Sequence, residues 1–289
     1  MKTSSVSKAM LSSLWLLFLC PSFLLKGQDA TTGKTHLYVT ELEERAFNEL
    51  HSGNDSLLFL MAYDSALDAK RYSQLKNELD EFVVRLYKRK NRFPSDIEFA
   101  KFLFTKTHDK YLKHYIKYVP FNELFYKGNF NCLSGTALYA YLFEQLGYQI
   151  KIFETRYHSF LIITKNGKYE ALVEATDNEN GFINGTDKII SRIEEYQNNE
   201  SNINPPINSV PVDQYPHLNA IGIKELAGLH YFNLAVVHFN KLEYQEALFH
   251  LKKAHLLYPT SKRVTDMIAY ALACSDEPHF SDSYSSEKK

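Results

Sequence analysis

Apolar residues recur every three or four positions through the first half of the chain. This spacing puts them on one face of a helix and predicts several helices between residues 36 and 118. Ser56 and Ser95 precede two of the apolar runs, and Glu98 follows Ser95 at the spacing of a capping box. A helical lead-in is therefore expected. Its predicted helices cover residues 37–50, 56–67, 72–90 and 93–116.

The hydrophobic period changes in the middle of the chain. Another helix is predicted over residues 132–146, and Gly147 is expected to end it. Short apolar runs typical of strands follow, and Asn166-Gly167 between the last two runs favours a β-hairpin. The predicted strands cover residues 148–155, 158–164 and 168–176.

The last part of the chain is again helical. Four prolines and many asparagines predict a linker over residues 197–217. After it, residues 228–261 resemble a tetratricopeptide repeat, in which small residues let two helices pack closely and a proline ends the second. A third helix is expected to cap this pair, and residues 276–289 are expected to be disordered. The matching positions are Tyr231, Leu234, Ala235, Tyr244, Ala247, Leu251, Ala254 and Pro259.

Composition and charge narrow the class of protein. The 289 residues are 45% hydrophobic with a formal net charge of −1, which fits globular domains and argues against nucleic acid as a partner. Lys2 and Lys8 precede an apolar run that Pro21 interrupts, as in a secretory signal peptide. Residues 1–27 are therefore expected to be cleaved. The mature protein is expected to be extracytoplasmic, periplasmic or secreted, and not integral to a membrane; the neighbours of Cys20 disfavour lipidation there.

After cleavage of the signal peptide, Cys132 and Cys274 are the cysteines that remain. The main chemical question is what role Cys132 has. An oxidising compartment permits a disulfide between the two cysteines. Cys132 also opens a predicted helix, whose unpaired N–H groups and dipole favour an anion and can form an oxyanion hole. Asn131 or Ser134 is available to cap that helix. A packed sulfur, a disulfide and a nucleophile are all compatible with this position.

A catalytic thiol also needs a base and a group that orients the base. His158 opens an otherwise apolar strand and is the candidate base. The hairpin register selects the acid that can reach it. A two-residue loop puts Ala175 opposite His158, with Asp177 as the diagonal neighbour. A three-residue loop puts Glu174 opposite instead. Reasoning from the strand pattern leaves both registers open.

Residues 128–177 resemble the core of the transglutaminase-like superfamily of papain-like cysteine enzymes. In that pattern a cysteine opens a helix that ends in Leu-Gly, a strand follows, a histidine opens the next strand, and an acid precedes a threonine. Cys132, Gly147, His158 and Glu174 match it in order and spacing. The resemblance implies a triad with Glu174 as the acid, where the family commonly has aspartate. It also implies the three-residue loop.

The fold implied is α+β, with a helical N-terminal region, a cysteine-bearing helix packed on a small antiparallel sheet, and tetratricopeptide-like C-terminal helices. The predicted domains are residues 36–196, which hold the transglutaminase-like core and its lead-in, and residues 218–275.

Two functions are compatible with this organisation. The first is hydrolysis of an amide or peptide-like bond through an acyl-enzyme, with a protein or peptide as substrate. It requires no cofactor, and the histidines show no metal-binding motif such as His-Glu-x-x-His. The second is a catalytically inactive scaffold or binding protein of the cell envelope, which uses its tetratricopeptide-like helices.

Overall fold

The computed structural model describes residues 37–49, 55–201 and 218–276. The expected signal peptide, residues 1–27, lies outside the described residues. So do residues 202–217 of the predicted linker and the expected disordered tail after residue 276.

The described N-terminal region contains the predicted helices, each preceded by a polar cap. Ser95 Oγ accepts the N–H of Glu98 at 3.3 Å, as predicted. The second helix is capped by Asp55 and not by Ser56, because Asp55 Oδ1 reaches the N–H of Leu58 at 3.1 Å. The helices are α1 (Glu41–Asn48), α2 (Ser56–Met61), α3 (Ala69–Tyr87) and α4 (Asp96–Tyr111), and a short α5 (Glu123–Tyr126) follows.

The described strands form a five-stranded antiparallel sheet and a separate parallel pair. The pair is β1 (His114–Tyr115) with β2 (Asn129–Phe130). The sheet comprises β3 (Gln149–Glu154), β4 (Ser159–Lys165), β5 (Lys168–Val173), β6 (Phe182–Asn184) and β7 (Asn219–Ile221). Its order is β6-β5-β4-β3-β7, so the three predicted strands lie at its centre.

The hairpin between β4 and β5 has a two-residue loop. Lys165 pairs with Lys168, and Asn166 and Gly167 have φ values of 52° and 75°. Positive φ at both loop residues is the conformation for which Asn-Gly is preferred. The three-residue loop implied by the family resemblance is therefore wrong.

A β-bulge in β5 then shifts the register. Thr164 pairs with Tyr169, but the preceding residue, Ile163, pairs with Ala171. One residue of β5 is left unpaired, and every later side chain of β5 moves to the other face of the sheet. Without the bulge, the two-residue loop would have placed Glu174 on the face of the sheet opposite to that of His158.

The cysteine-bearing helix, α6 (Cys132–Gln145), packs between the sheet and the N-terminal helices. Every residue from Leu133 to Phe143 is buried, which explains why the helix has no polar face. It contacts β3 and β4 on one side and α2 and α4 on the other. Gly147 follows it with φ 81°, as expected for the residue after a helix.

Helix α7 (Thr186–Ser201) was not predicted, and it runs into the first residues of the predicted linker. Its Ile189 side chain is fully buried and packs with Phe160 and Leu172 on the face of the sheet opposite α6. The sheet is therefore covered on both faces.

The C-terminal helices pack on the rest of the fold. They are α8 (Ile223–Asn240), α9 (Tyr244–Leu257) and α10 (Lys262–Asp276). Helices α8 and α9 approach so closely that a Cβ on Gly228 would lie 3.1 Å from the Cβ of Leu257. Helix α8 also contacts α2 and α6, and its buried residues belong to the same hydrophobic core. The described fold is thus α+β, and none of its helices is both long enough and apolar enough to cross a membrane.

Candidate active site

Cys132 is the first residue of α6, as the sequence pattern predicted. Asn131 caps the helix through a reciprocal pair: its Oδ1 accepts the N–H of Ser134 at 2.8 Å, and Ser134 Oγ accepts the N–H of Asn131 at 2.9 Å. Both capping residues are buried, so the backbone is fixed at this point. The N–H groups of Cys132 and Leu133 belong to the first turn, where a helix offers them no carbonyl partner. Cys132 therefore lies at the positive end of the helix dipole.

His158 closes a tight turn between β3 and β4. Thr155 N–H donates to the carbonyl of His158 at 2.8 Å, and Thr155 Oγ1 accepts the N–H of His158 at 3.1 Å. The His158 side chain is 23% exposed, and its Nε2 pairs with Oε2 of Glu174. The Cys132 thiol lies close enough to the ring to raise the pKa of His158.

Glu174 is only 3% exposed, and both of its oxygens accept hydrogen bonds. Oε2 accepts from the hydroxyl of Tyr196 at 2.7 Å in addition to its pairing with His158. Oε1 accepts the N–H and the hydroxyl of Thr176, at 3.0 and 2.7 Å. A buried carboxylate is tolerated when its lone pairs are used in this way. These bonds also fix the plane of the carboxylate that holds the imidazole.

The protonation states of His158 and Glu174 are coupled. Burial lowers the pKa of His158, but its hydrogen bonds to Cys132 and Glu174 and their negative charges outweigh burial and raise that pKa to about 10. Burial raises the pKa of Glu174, but the bond to His158, its charge and the Thr176 donors hold that pKa below its usual value. At neutral pH the pair is an imidazolium and a carboxylate.

Two close contacts hold α6 against the ends of β4 and β5. Gly135 faces Ala175, and a Cβ on Gly135 would lie 2.6 Å from the Cβ of Ala175, so glycine alone permits this approach. In the same turn of the helix, the hydroxyl of Thr136 donates to the carbonyl of Ser159 at 2.9 Å. Ser159 and Ala175 each directly follow a site residue. The two contacts therefore set the distance from the cysteine to the histidine and the acid.

The structure brings Cys132, His158 and Glu174 together and leaves the alternative acid out. Asp177 Oδ1 accepts two backbone N–H groups of its own loop, at 3.2 and 2.8 Å, and so caps that loop. Cys132 and Cys274 are both free thiols and partly exposed, so the disulfide considered for them is not formed in this structure.

Tyr196 is the site residue that sequence reasoning missed. It comes from α7, and its ring centroid lies 5.3 Å from that of His158 and 4.8 Å from that of Phe160. A signal was present, because Ile189, Ile193 and Tyr196 recur at helical spacing. This spacing predicts a helix that carries Tyr196, although not its position against the hairpin.

Aromatic side chains flank the cysteine. Phe130 meets Tyr115 edge to face, with ring centroids 5.9 Å apart. Partial burial and the negative charges of Cys132 and Glu174 raise the pKa of Tyr115. Tyr115 is nevertheless 58% exposed.

Comparisons of the chain with protein-family models, curated proteins and solved structures found no match. Within residues 37–49, 55–201 and 218–276, no three His, Cys, Asp or Glu side chains converge as possible metal ligands.

Proposed function

We propose that the protein is an exported cysteine hydrolase of the transglutaminase-like type, acting on an amide or peptide-like bond. Cys132 is the proposed nucleophile, His158 the acid and base, and Glu174 the residue that orients His158. The observation that supports this most directly is the position of the His158 ring, which pairs with the buried Glu174 carboxylate and lies close enough to the Cys132 thiol for that thiol to raise the pKa of the ring. A purely structural histidine would need the carboxylate but not the partly exposed thiol.

In the first half-reaction the Cys132 sulfur attacks the carbonyl carbon of the scissile amide. The developing oxyanion accepts hydrogen bonds from N–H groups in the first turn of α6. The imidazolium of His158 gives its proton to the leaving nitrogen, the C–N bond breaks, and a thioester remains on Cys132. The released amine is neutral, so charge and protons balance.

In the second half-reaction water attacks the thioester. His158, now neutral, takes a proton from that water, and the C–S bond breaks to release the acid and the Cys132 thiolate. Water is the proposed acceptor because solvent reaches the partly exposed sulfur. The imidazolium–thiolate pair is then restored for the next cycle.

The substrate and the compartment are proposed on different grounds. A protein or peptide is the proposed substrate, because the triad acts on amides. Export is proposed from the signal-peptide pattern of residues 1–27.

Alkylation of Cys132 as a function of pH tests the proposed chemistry. The full chain is treated with iodoacetamide between about pH 5 and about pH 9, and the label on each cysteine is quantified by peptide mass spectrometry. We expect rapid labelling of Cys132 at about pH 6, because the imidazolium of His158 stabilises the thiolate. We expect His158→Ala to slow it at that pH by at least about tenfold.

Cys274 is the internal control, since it is a partly exposed free thiol in the same chain. Its labelling should depend on pH in the same way in both proteins. If Cys132 is labelled no faster than Cys274 at about pH 6, or if His158→Ala leaves its rate unchanged, the proposed triad is wrong and the scaffold function replaces it.

A further inference from the structure

A cavity of about 620 Å³ lies where β3 meets β7. Its walls come from β3 and the turn after it, from β7, and from the connection between α9 and α10. Cys132 and His158 do not line it, but Thr155 and Arg156 of the turn that carries His158 do. The volume is in the range typical of ligand sites, roughly 300–1,000 Å³.

The acidic side chains of this cavity already have partners. Glu154 forms an ion pair with Arg263, whose Nη1 also donates to the carbonyl of Arg156 at 2.8 Å. Glu225 accepts a backbone N–H at 2.9 Å, at the start of α8.

The arginines, in contrast, have donors to spare. Nε and Nη2 of Arg156 and Nε of Arg263 are buried without a hydrogen-bond partner in the described part of the chain. One buried acceptor, Oε2 of Glu154, also lacks a hydrogen-bond partner in the described part of the chain. The cavity therefore has three unpaired donors and one unpaired acceptor. Because buried polar groups are normally hydrogen-bonded, it needs further acceptors, preferably negatively charged ones.

We propose that this cavity binds the carboxylate of a short peptide through the free edge of the Arg156 guanidinium. Nε and Nη2 lie on one edge of a guanidinium, where they can donate in parallel to the two oxygens of a carboxylate. Nε of Arg263 supplies a third donor nearby. The Arg156 guanidinium lies 5.0 Å from the ring centroid of Tyr157, which is 47% exposed.

The strand edge beside the cavity favours a peptide over a smaller acid. Strand β7 pairs only with Ile152, Phe153 and Glu154, so within the described residues the outer edge of β3 is unpaired over Gln149–Lys151. Ile150 and Lys151 of this edge line the cavity. An extended peptide can add to an unpaired edge through main-chain hydrogen bonds. The choice of a peptide agrees with the proposed hydrolase but does not require catalysis by Cys132.

Nuclear magnetic resonance of the arginine Nε–H groups tests the proposal in the full chain carrying Cys132→Ala, which cannot turn a peptide over. The probes are N-acetyl-alanyl-alanine and its C-terminal amide. We expect the acid to shift the Nε–H signals of Arg156 and Arg263 saturably, and the amide to leave them unchanged. Arg156→Lys keeps the charge but loses the paired donors, and should weaken binding of the acid by about tenfold.

Arg89→Lys is the matched control, because Arg89 lies over Phe102, outside the cavity. It should bind the acid as tightly as the parent protein. Equal binding of acid and amide, no binding at millimolar concentration, or unchanged affinity in Arg156→Lys would each overturn the proposal. If acetate binds as tightly as the peptide acid, the site recognises a bare carboxylate and the peptide part is wrong. None of these results depends on the alkylation of Cys132, so the two proposals fail separately.

Discussion

The imidazole of His158 is held between a carboxylate and a thiol, and the carboxylate is itself held by uncharged donors. Thr176 and Tyr196 both donate to Glu174 without adding charge. The carboxylate therefore keeps its full electrostatic effect on the ring, although burial would otherwise favour its protonated form. Cys132 and Glu174 thus both favour the protonated imidazole, against the burial of the ring.

The pH dependence of stability should report this arrangement. The pKa of His158 is about 10 in the folded protein against an ordinary value of 6.5, so between these values His158 holds a proton that it lacks in the unfolded chain. With Cys132 a thiolate in the folded protein, as proposed, the proton on the unfolded thiol offsets this difference up to about pH 8.5. The loss of stability therefore appears between about pH 8.5 and pH 10, with a limiting slope of about 1.4 kcal/mol per pH unit. In Glu174→Gln the burial of the ring remains and the carboxylate is lost, so we expect this slope to flatten. Urea unfolding followed by circular dichroism measures it.

Asp177→Asn provides the control for that experiment. Asp177 is an acid in the next loop that accepts backbone N–H groups, which asparagine can also accept. In Asp177→Asn the slope of the free energy of unfolding against pH, between about pH 6.5 and pH 10, should equal that of the parent protein. A slope in Glu174→Gln as steep as in the parent would show that Glu174 does not hold the proton on His158.

Helix α6 meets the sheet at a glycine, and this contact sets the geometry of the site. Gly135→Ala should favour the helix slightly by its propensity, but the new Cβ would overlap Ala175. We expect overpacking to dominate and the free energy of unfolding to fall by about 1–3 kcal/mol. The rate of Cys132 alkylation at about pH 6 should fall with it, because the helix start moves away from His158.

The double variant Gly135→Ala/Ala175→Gly separates this contact from other effects of the substitution. Removing the Cβ of Ala175 returns the space that the new methyl group needs. Both stability and the alkylation rate should recover relative to Gly135→Ala. If the two substitutions are simply additive, the close approach of Gly135 and Ala175 does not position Cys132.

Elements with a long regular pattern were predictable from the sequence, and short or irregular ones were not. Helix α6 buries nearly every side chain and ends at Gln145, just before Gly147, so its position and that of Cys132 were predictable. Strands β6 and β7 have three residues each, too few to show a period. The bulge near Ala171 leaves no local signal either, because residues on both sides of it are compatible with a regular strand.

The same distinction explains the candidate site. Cys132 and His158 were identifiable because each opens an element. The acid was identifiable only through the family resemblance, and the loop inferred from it was wrong. Glu174 shares a face with His158 because a two-residue loop and a one-residue bulge combine. Tyr196 reaches the site through the packing of α7, which local pattern alone does not place.

The first described helix, α1, and the C-terminal helix α9 share a core, and a buried ion pair joins them. Lys253 Nζ of α9 lies 2.7 Å from Glu43 Oε1 of α1, and the hydroxyl of Tyr231 donates to the same oxygen at 2.7 Å. The other oxygen of Glu43 accepts the N–H of Val39 at 2.6 Å. Lys253 and Glu43 are almost completely buried. The C-terminal helices are thus part of the fold that supports the sheet.

Removing one partner of this pair should therefore destabilise the whole described fold. Lys253→Met leaves the Glu43 carboxylate buried without its counter-charge, so we expect the free energy of unfolding to fall by about 3–5 kcal/mol, in a single urea transition. Glu43→Gln/Lys253→Met should recover most of this loss, because neither side chain is then charged and Tyr231 can still donate to the amide oxygen. Lys106→Met breaks the exposed pair with Asp109 and should change stability by less than about 1 kcal/mol. Two separate transitions in Lys253→Met, or a loss no larger than in Lys106→Met, would show that the C-terminal helices fold independently of the N-terminal ones.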